Sequence, residues 1–296
     1  MSNNTRPVVW ITLVNWNGWR DTVECLASLE KLVKNNFDAR VVVVDNGSTD
    51  DSVERMLERY PSLELLRSNV DLGAAGGFNI AIRKALEENV DYVWLLNNDA
   101  IVTPMALAEL VKAAESDDRI GVAASVSYYK DAPQKVQAWG GGWISFLTGR
   151  AGHYHDSVGG QELPYLTGAS ALLRCAALKS VGLLDEKKFF MYWEDSDLSF
   201  RMRNSGWRLH VSPESQVFHG EYAEEGRKTS PLVDLWYCES GVRFFRRHAP
   251  FPAYTIGVFL LNQLRRKILF RNPPGFSAVL KGAWLGLTRK EHAHVL

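Results

Sequence analysis

Along the first half of the chain, short apolar runs alternate with stretches whose apolar residues recur at helical spacing. Val8 to Asn15, Val41 to Val44, Leu63 to Leu66, Asp91 to Asn97 and Ile120 to Val126 read as strands. Runs such as Val41-Val42-Val43-Val44 and Val93-Trp94-Leu95-Leu96 suit strands buried on both faces. Between the strands, the spacing of Cys25, Leu26, Leu29, Leu32 and Val33 predicts a helix, as do Ile80 to Asn89 and Pro104 to Ser116. The alternation predicts an α/β fold with a mostly parallel central sheet and right-handed crossovers.

In such sheets ligands bind in the crevice beyond the carboxyl ends of the strands, and these strands end there in polar residues. The run through Leu96 stops in Asn97, Asn98 and Asp99. Two readings are open: a site for a hard divalent cation, which takes one or two carboxylates plus substrate phosphates, or a turn that caps the next helix. The second strand delivers Asp45 to the same edge. Ser48 or Asp50 can cap the following helix, but Asp45 lies too early, and its functional reading is an acceptor for a ribose hydroxyl or a nucleobase N–H. The third strand leads into Ser68 to Asn79, with Gly73, Gly76 and Gly77. Those glycines allow either close approach to a phosphate before a helix N-terminus or a tight turn with close helix packing. Their place after the third strand, not the first, argues against a dinucleotide-binding domain.

Beyond residue 126 the pattern changes. Tyr128 to Tyr165 is rich in glycine and aromatics and reads as antiparallel ribbons and loops, with His153 and His155 as ordinary loop histidines. Phe189 to Trp193 then runs into Glu194, Asp195 and Asp197 at the start of a helix. Helix capping explains one or two of these acids; three exceed that need, and one can serve as a general base. His219 closes a short strand, where a ligand role and a structural role are both open. Leu235 to Arg247 and Tyr254 to Phe270 read as helices whose apolar faces adjoin basic clusters.

With 296 residues there is length for one large domain or a domain with an appendage. The formal net charge of zero hides an asymmetry: from Gly241 onward ten basic residues face Glu291 alone, a local charge of plus nine. Such a tail suits an anionic surface, a membrane interface or a lipid-linked partner, with a solvated helix face as the plain alternative. Three scattered cysteines point to a reduced, cytoplasmic protein. No stretch approaches the ~20 apolar residues that span a bilayer, which leaves peripheral attachment to the inner face as the expected membrane relation.

Several motifs, in order, resemble the family 2 glycosyltransferases of GT-A fold. They are Val14-Asn15-Trp16-Asn17-Gly18, Val44 to Asp50, Asn69 to Gly73 with Gly76-Gly77 to Asn79, Leu96 to Asp99, Tyr165 to Ala169, Gly182 to Glu186 and Phe190 to Leu198. The likeness spans Val8 to about His219 and is strongest to bacterial rhamnosyltransferases of cell-surface polysaccharide and lipopolysaccharide. It implies a nucleoside-diphosphate sugar, dTDP-β-L-rhamnose favoured, and Mg²⁺ or Mn²⁺ as cofactor. The acceptor implied is a glycan or lipid-linked saccharide, with no nucleic acid. It also implies Asn15, Asn17, Asp45, Asn69, Gly73, Gly77, Asn79, Asn97 and Asn98 at the nucleotide sugar, and Asp99 and His219 at the metal. Asp195 is the implied base, with Gly168, Trp193 and Glu194 in support. Asn97 replaces the first aspartate of the family's Asp-x-Asp motif, which shifts metal ligation to Asp99. Residues 1–240 would form the catalytic domain, divided into a nucleotide-sugar half (1–126) and an acceptor and catalytic half (127–240), with 241–296 as a basic helical extension. The rivals are a UDP-hexose or UDP-N-acetylhexosamine donor and a non-catalytic carbohydrate-binding protein.

Overall fold

The computed structural model describes residues 6–220, 230–289 and 291. Its strands are β1 (Val8–Asn15), β2 (Asp38–Asn46), β3 (Glu64–Ser68), β4 (Tyr92–Asn97), β5 (Ile101–Val102) and β6 (Ile120–Tyr129), then β7 (Val136–Ala138), β8 (Gly141–Ser145), β9 (Arg150–His153), β10 (Tyr165–Leu166), β11 (Ser170–Arg174) and β12 (Arg208–His219). The helices are α1 (Trp19–Leu29), α2 (Ser52–Arg59), α3 (Gly73–Glu87), α4 (Ala106–Glu115), α5 (Cys175–Val181), α6 (Glu194–Asn204), α7 (Pro231–His248), α8 (Pro252–Leu269) and α9 (Pro273–Thr288).

One sheet has the order β3-β2-β1-β4-β11-β6-β12-β5, with β7 paired to β6, and β10-β8-β9 form a separate antiparallel ribbon. The first four strands are parallel, as the alternation predicts. The sheet as a whole is mixed, because β11 enters antiparallel between β4 and β6 and β5 lies antiparallel to β12. A strand reached from the ribbon, with no crossover helix before it, is not held to the parallel sense. Both faces of the sheet are covered. Val9, Ile11 and Leu13 of β1 join a core with α1 and α4, while Trp10 faces the core under α3 and α5. This two-sided burial is why β1, β2 and β4 read as unbroken apolar runs.

The third helix starts at Gly73, not at Ile80, so the glycine cluster lies inside its first turns. Gly73 has φ +69°, and a Cβ there would come within 2.0 Å of the Phe190 carbonyl; one on Gly77 would come within 2.7 Å of Val14. The cluster closes α3 onto β1 and onto the aromatic run before α6.

The C-terminal helices belong to a third core. Phe189 and Trp193 pack with Cys238, Phe244, Phe245 and Phe259. The division expected after residue 240 falls inside α7. The basic count also overstates the exposed charge: Arg243 is buried against Glu239, and Lys267 against Asp234. No helix among the described residues is long and apolar enough to cross a membrane.

Asp197, fully buried, joins α6 to α7. It accepts from Arg201 Nε at 2.8 Å, Arg247 at 3.0 Å and His248 Nε2 at 2.8 Å. Burial raises its carboxyl, but the His248 bond and the two guanidinium groups outweigh that and hold it below its ordinary value. Removing one partner of a buried ion pair costs roughly 3–5 kcal/mol, which is the loss expected for Asp197→Asn in urea denaturation at pH 7. Because the folded carboxyl is depressed, its stabilisation is present above the unfolded value of 3.8 and fades below it. The gap between wild type and variant should therefore shrink as the pH falls through that range.

Candidate active site

The carboxyl ends of β1, β2 and β4 converge on a hydrogen-bonded chain of polar side chains. Asp45 is buried at the end of β2, where Asn15 Nδ2 donates to its Oδ1 at 3.2 Å and to Ser48 Oγ at 3.1 Å. Thr22 Oγ1 donates to Asn15 Oδ1 at 2.9 Å and accepts from Asn98 Nδ2 at 2.9 Å. The chain ties α1 and three strand ends together and fixes the Asp45 carboxylate. Asn17 accepts from the backbone N–H groups of Thr49 and Asp50 at 2.8 and 3.2 Å, so it shapes the loop after β2.

Asp99 lies half-buried after β4. His219 Nε2, at the end of β12, is 3.2 Å from Asp99 Oδ1 and 2.8 Å from the Asn97 amide. Its Nδ1 lies 3.1 Å from Gln137 Oε1, which fixes the ring so that Nε2 faces both the Asn97 side-chain amide and the Asp99 carboxylate. A proton on Nε2, or a cation in its place, satisfies that pair. Burial would raise the Asp99 carboxyl, but the His219 hydrogen bond and charge hold it below the ordinary range. One carboxylate, one imidazole and a neighbouring amide form a donor set that fits a divalent ion completed by substrate phosphates. No group of three acidic, histidine or cysteine ligands occurs among the described residues.

Asp195 sits in the first turn of α6. Gly168 N–H donates to its Oδ2 at 3.0 Å, and Ser196 N–H and Oγ–H donate to Oδ1 at 2.6 and 3.2 Å. The next residue, Ala169, accepts from Asn97 N–H at 3.0 Å. A two-residue strap thus joins Asp195 to the strand end that carries Asp99. Burial pushes the Asp195 carboxyl up, partly offset by the Gly168 and Ser196 donors. Glu194 is also raised, by burial first and then by the Asp195 charge, and its Oε2 has no hydrogen-bond partner among the described residues. Both residues before it have left-handed backbone, Tyr192 at φ +67° and Trp193 at φ +68°. Non-glycine residues held there store about 1–3 kcal/mol each and mark places where geometry serves function. Trp193 is pinned by the rings of Tyr237, Phe244 and Phe245, with centroids 5.5, 4.8 and 5.2 Å away.

The structure brings together Asn15, Asp45 and Asn98 in one network, Asn97, Asp99 and His219 in a second, and Gly168, Glu194 and Asp195 in a third. Asn69 is exposed in the loop after β3. Gly73 and Gly77 pack against the protein itself. Asn79 is buried and donates to the Leu184 carbonyl and to Glu186, both at 2.8 Å, so it holds residues 184–186 onto α3. Asp197 belongs to the ion cluster behind α6. Sequence reasoning did not single out Thr22 and Gln137, which orient Asn15 and His219 and which nothing in their local pattern marks; Ser48, expected as a possible helix cap, instead accepts from Asn15 Nδ2 and the Asn17 N–H. Nor did it single out Tyr165 and Tyr237, whose phenols feel the Asp195 charge.

The family model for glycosyl transferase family 2 matches residues 10–182. An N-acetylglucosaminyl-diphospho-decaprenol L-rhamnosyltransferase of Mycobacterium tuberculosis is 30% identical over 232 residues, 71% of this chain and 75% of its own length. The rhamnosyltransferase WbbL of Escherichia coli K12 is 26% identical over 261 residues, 81% of this chain and 93% of that protein. The mannosyltransferase PcManGT of Pyrobaculum calidifontis, solved with GDP-Man and Mn²⁺, superposes with a TM-score of 0.63 at 17% identity, covering 97% of this chain and 89% of that one. The fold, with its mixed sheet and three C-terminal helices, is that of the GT-A glycosyltransferases. By its family match and by its likeness to the mycobacterial enzyme, this chain belongs to glycosyl transferase family 2.

Proposed function

We propose that this protein is an inverting glycosyltransferase that moves L-rhamnose from dTDP-β-L-rhamnose to a hydroxyl of a glycan or lipid-linked saccharide. The observation that carries the reading is the Gly168-Ala169 strap, which sets the raised carboxyl of Asp195 beside the strand end bearing Asp99. The rhamnose donor is supported by the motif resemblance and by the names of the two rhamnosyltransferase relatives.

Asp45, held by Asn15, takes a ribose hydroxyl or a base N–H of the donor. Asp195 removes the proton from the acceptor hydroxyl as its oxygen attacks the anomeric carbon. The bond from that carbon to the diphosphate breaks, and a β-L donor yields an α-L-rhamnoside. Asp99 and His219 would hold a divalent cation, Mg²⁺ or Mn²⁺, which offsets the charge developing on the departing diphosphate. The Gly168 and Ser196 donors keep the Asp195 carboxylate aimed, while burial keeps it more basic than a surface aspartate.

Asp195→Asn should lower turnover by roughly 10²–10⁴-fold, the usual contribution of a positioned base, while donor affinity stays within a few-fold. Wild-type turnover in that variant would move the base role to Glu194.

Glu194→Gln tests the raised neighbour separately. A carboxyl raised in the fold destabilises it progressively as pH climbs from the ordinary 4.5 through the folded value. The thermal midpoint of Glu194→Gln should therefore gain on wild type between pH 5 and pH 8, and equal pH profiles would contradict this.

Thermal shifts measured with dTDP-rhamnose, UDP-glucose and UDP-N-acetylglucosamine, with and without Mn²⁺, test donor and metal together, since a ligand of the folded form raises the midpoint. The largest shift is expected for dTDP-rhamnose with Mn²⁺, and Asp99→Asn should abolish the metal-dependent part. A larger shift with a UDP-sugar would reassign the donor, and shifts indifferent to Mn²⁺ would reject the metal role.

A further inference from the structure

A cavity of about 620 Å³ opens between the β8–β9 ribbon, α7 and α8. Trp143, Tyr237 and three arginines, Arg150, Arg265 and Arg266, are among the residues that line it. None of the three makes an ion pair or hydrogen bond with another described residue. That sets them apart from Arg243 and Arg247, which are consumed by Glu239, Asp185 and Asp197. Three arginines that line one concavity without an ion-pair partner among the described residues have the chemistry of a phosphate or diphosphate site, because the planar fork bonds two phosphate oxygens at once.

The position of the cavity relates it to the proposed chemistry. Tyr237 packs on Trp193 at 5.5 Å and on Tyr192 at 5.8 Å, the two strained residues that lead into Glu194 and Asp195. It lies within electrostatic reach of both Arg266 and Asp195. On the other side, the rim carries Ile268 and Leu269, 66% and 77% exposed, and the chain continues into Phe270 at 59%. A water-facing apolar edge beside a cluster of positive charge matches a ligand with an anionic head and a hydrocarbon tail.

We propose that this cavity binds the phosphate-bearing head of an amphiphilic acceptor. Arg150, Arg265 and Arg266 take the phosphate or diphosphate, and the tail leaves across Ile268, Leu269 and Phe270. The sugar beyond the phosphate then extends past Tyr237 toward Asp195. The identity of the ligand as acceptor rests on the transferase reading; the binding site itself does not.

The test uses the intact protein and needs no turnover. Farnesyl diphosphate, inorganic diphosphate and farnesol are titrated by calorimetry, each with and without excess dTDP. Farnesyl diphosphate should bind equally well with dTDP present and more tightly than either fragment. The exposed triple variant Arg150→Gln, Arg265→Gln, Arg266→Gln should weaken both diphosphates by roughly tenfold or more, as loss of charge-assisted contacts requires. Ile268→Ser with Leu269→Ser should weaken farnesyl diphosphate and leave inorganic diphosphate unchanged. Displacement by dTDP, wild-type affinity in the triple variant, or farnesol binding as tightly as its diphosphate would each overturn the proposal. So would a triple variant that loses only its sedimentation with phosphatidylglycerol vesicles, since that result assigns the arginines to a membrane surface. Failure of every nucleotide sugar to react would sink the transferase reading and leave this binding result standing.

Discussion

β11 is bonded to β4 along one edge and to β6 along the other, and the arrangement of the site follows from that insertion. The chain reaches β11 from the ribbon, so Thr167, Gly168 and Ala169 must pass directly over the carboxyl end of β4. Ala169 there receives the Asn97 amide and Gly168 donates to Asp195. One backbone–backbone bond, from Asn97 N–H to the Ala169 carbonyl, and one bond from the Gly168 N–H to the Asp195 carboxylate therefore set the spacing between the acidic residue of α6 and the carboxylate after β4. Such bonds are obligatory once the strand is buried, because an unpaired backbone group there would be costly.

Around that strap the protein concentrates tension that ordinary secondary structure avoids. Two successive aromatic residues hold left-handed backbone, two adjacent carboxyls share a half-buried helix start, and one of their oxygens lacks a hydrogen bond among the described residues. The aromatic core beneath supplies the compensation: Trp193 is enclosed by rings from α7 and α8, so its backbone cannot relax without opening that packing.

Much of this is legible in the sequence. Unbroken apolar runs ending in Asp45 and Asp99 announce strands buried on both faces with carboxylates at the functional edge, since burial on both sides leaves no polar alternation. The acidic start of α6 was equally plain. What escaped depends on contacts between distant residues. β11 is a five-residue strand, Ser170 to Arg174, whose direction is set by where the ribbon delivers it. Gly73 and Gly77 look like phosphate-binding glycines but are demanded by Phe190 and Val14, residues 117 and 63 positions from them. Arg243 and Lys267 count as surface charge in a composition and are buried partners of Glu239 and Asp234 in the fold. Asp197 has the local sequence of a possible base, but Arg201, Arg247 and His248 surround it in the fold.

The third core also bears on how such enzymes can be recombined. Phe189 and Trp193 come from the stretch that positions the proposed base, yet most of the buried core around them comes from α7, α8 and α9, with Phe146 of the ribbon packed against it. A chimaera joined at residue 240 would pair one protein's aromatic wall with another's α7 and α8, and mismatched rings would release the backbone that aims Asp195. The unit of exchange is therefore the span from Phe189 to the end of α9 together with the ribbon residues Ile144, Phe146 and Ala151 that pack on it. Divergence of the C-terminal helices among relatives should be accompanied by matching change in those few aromatic positions.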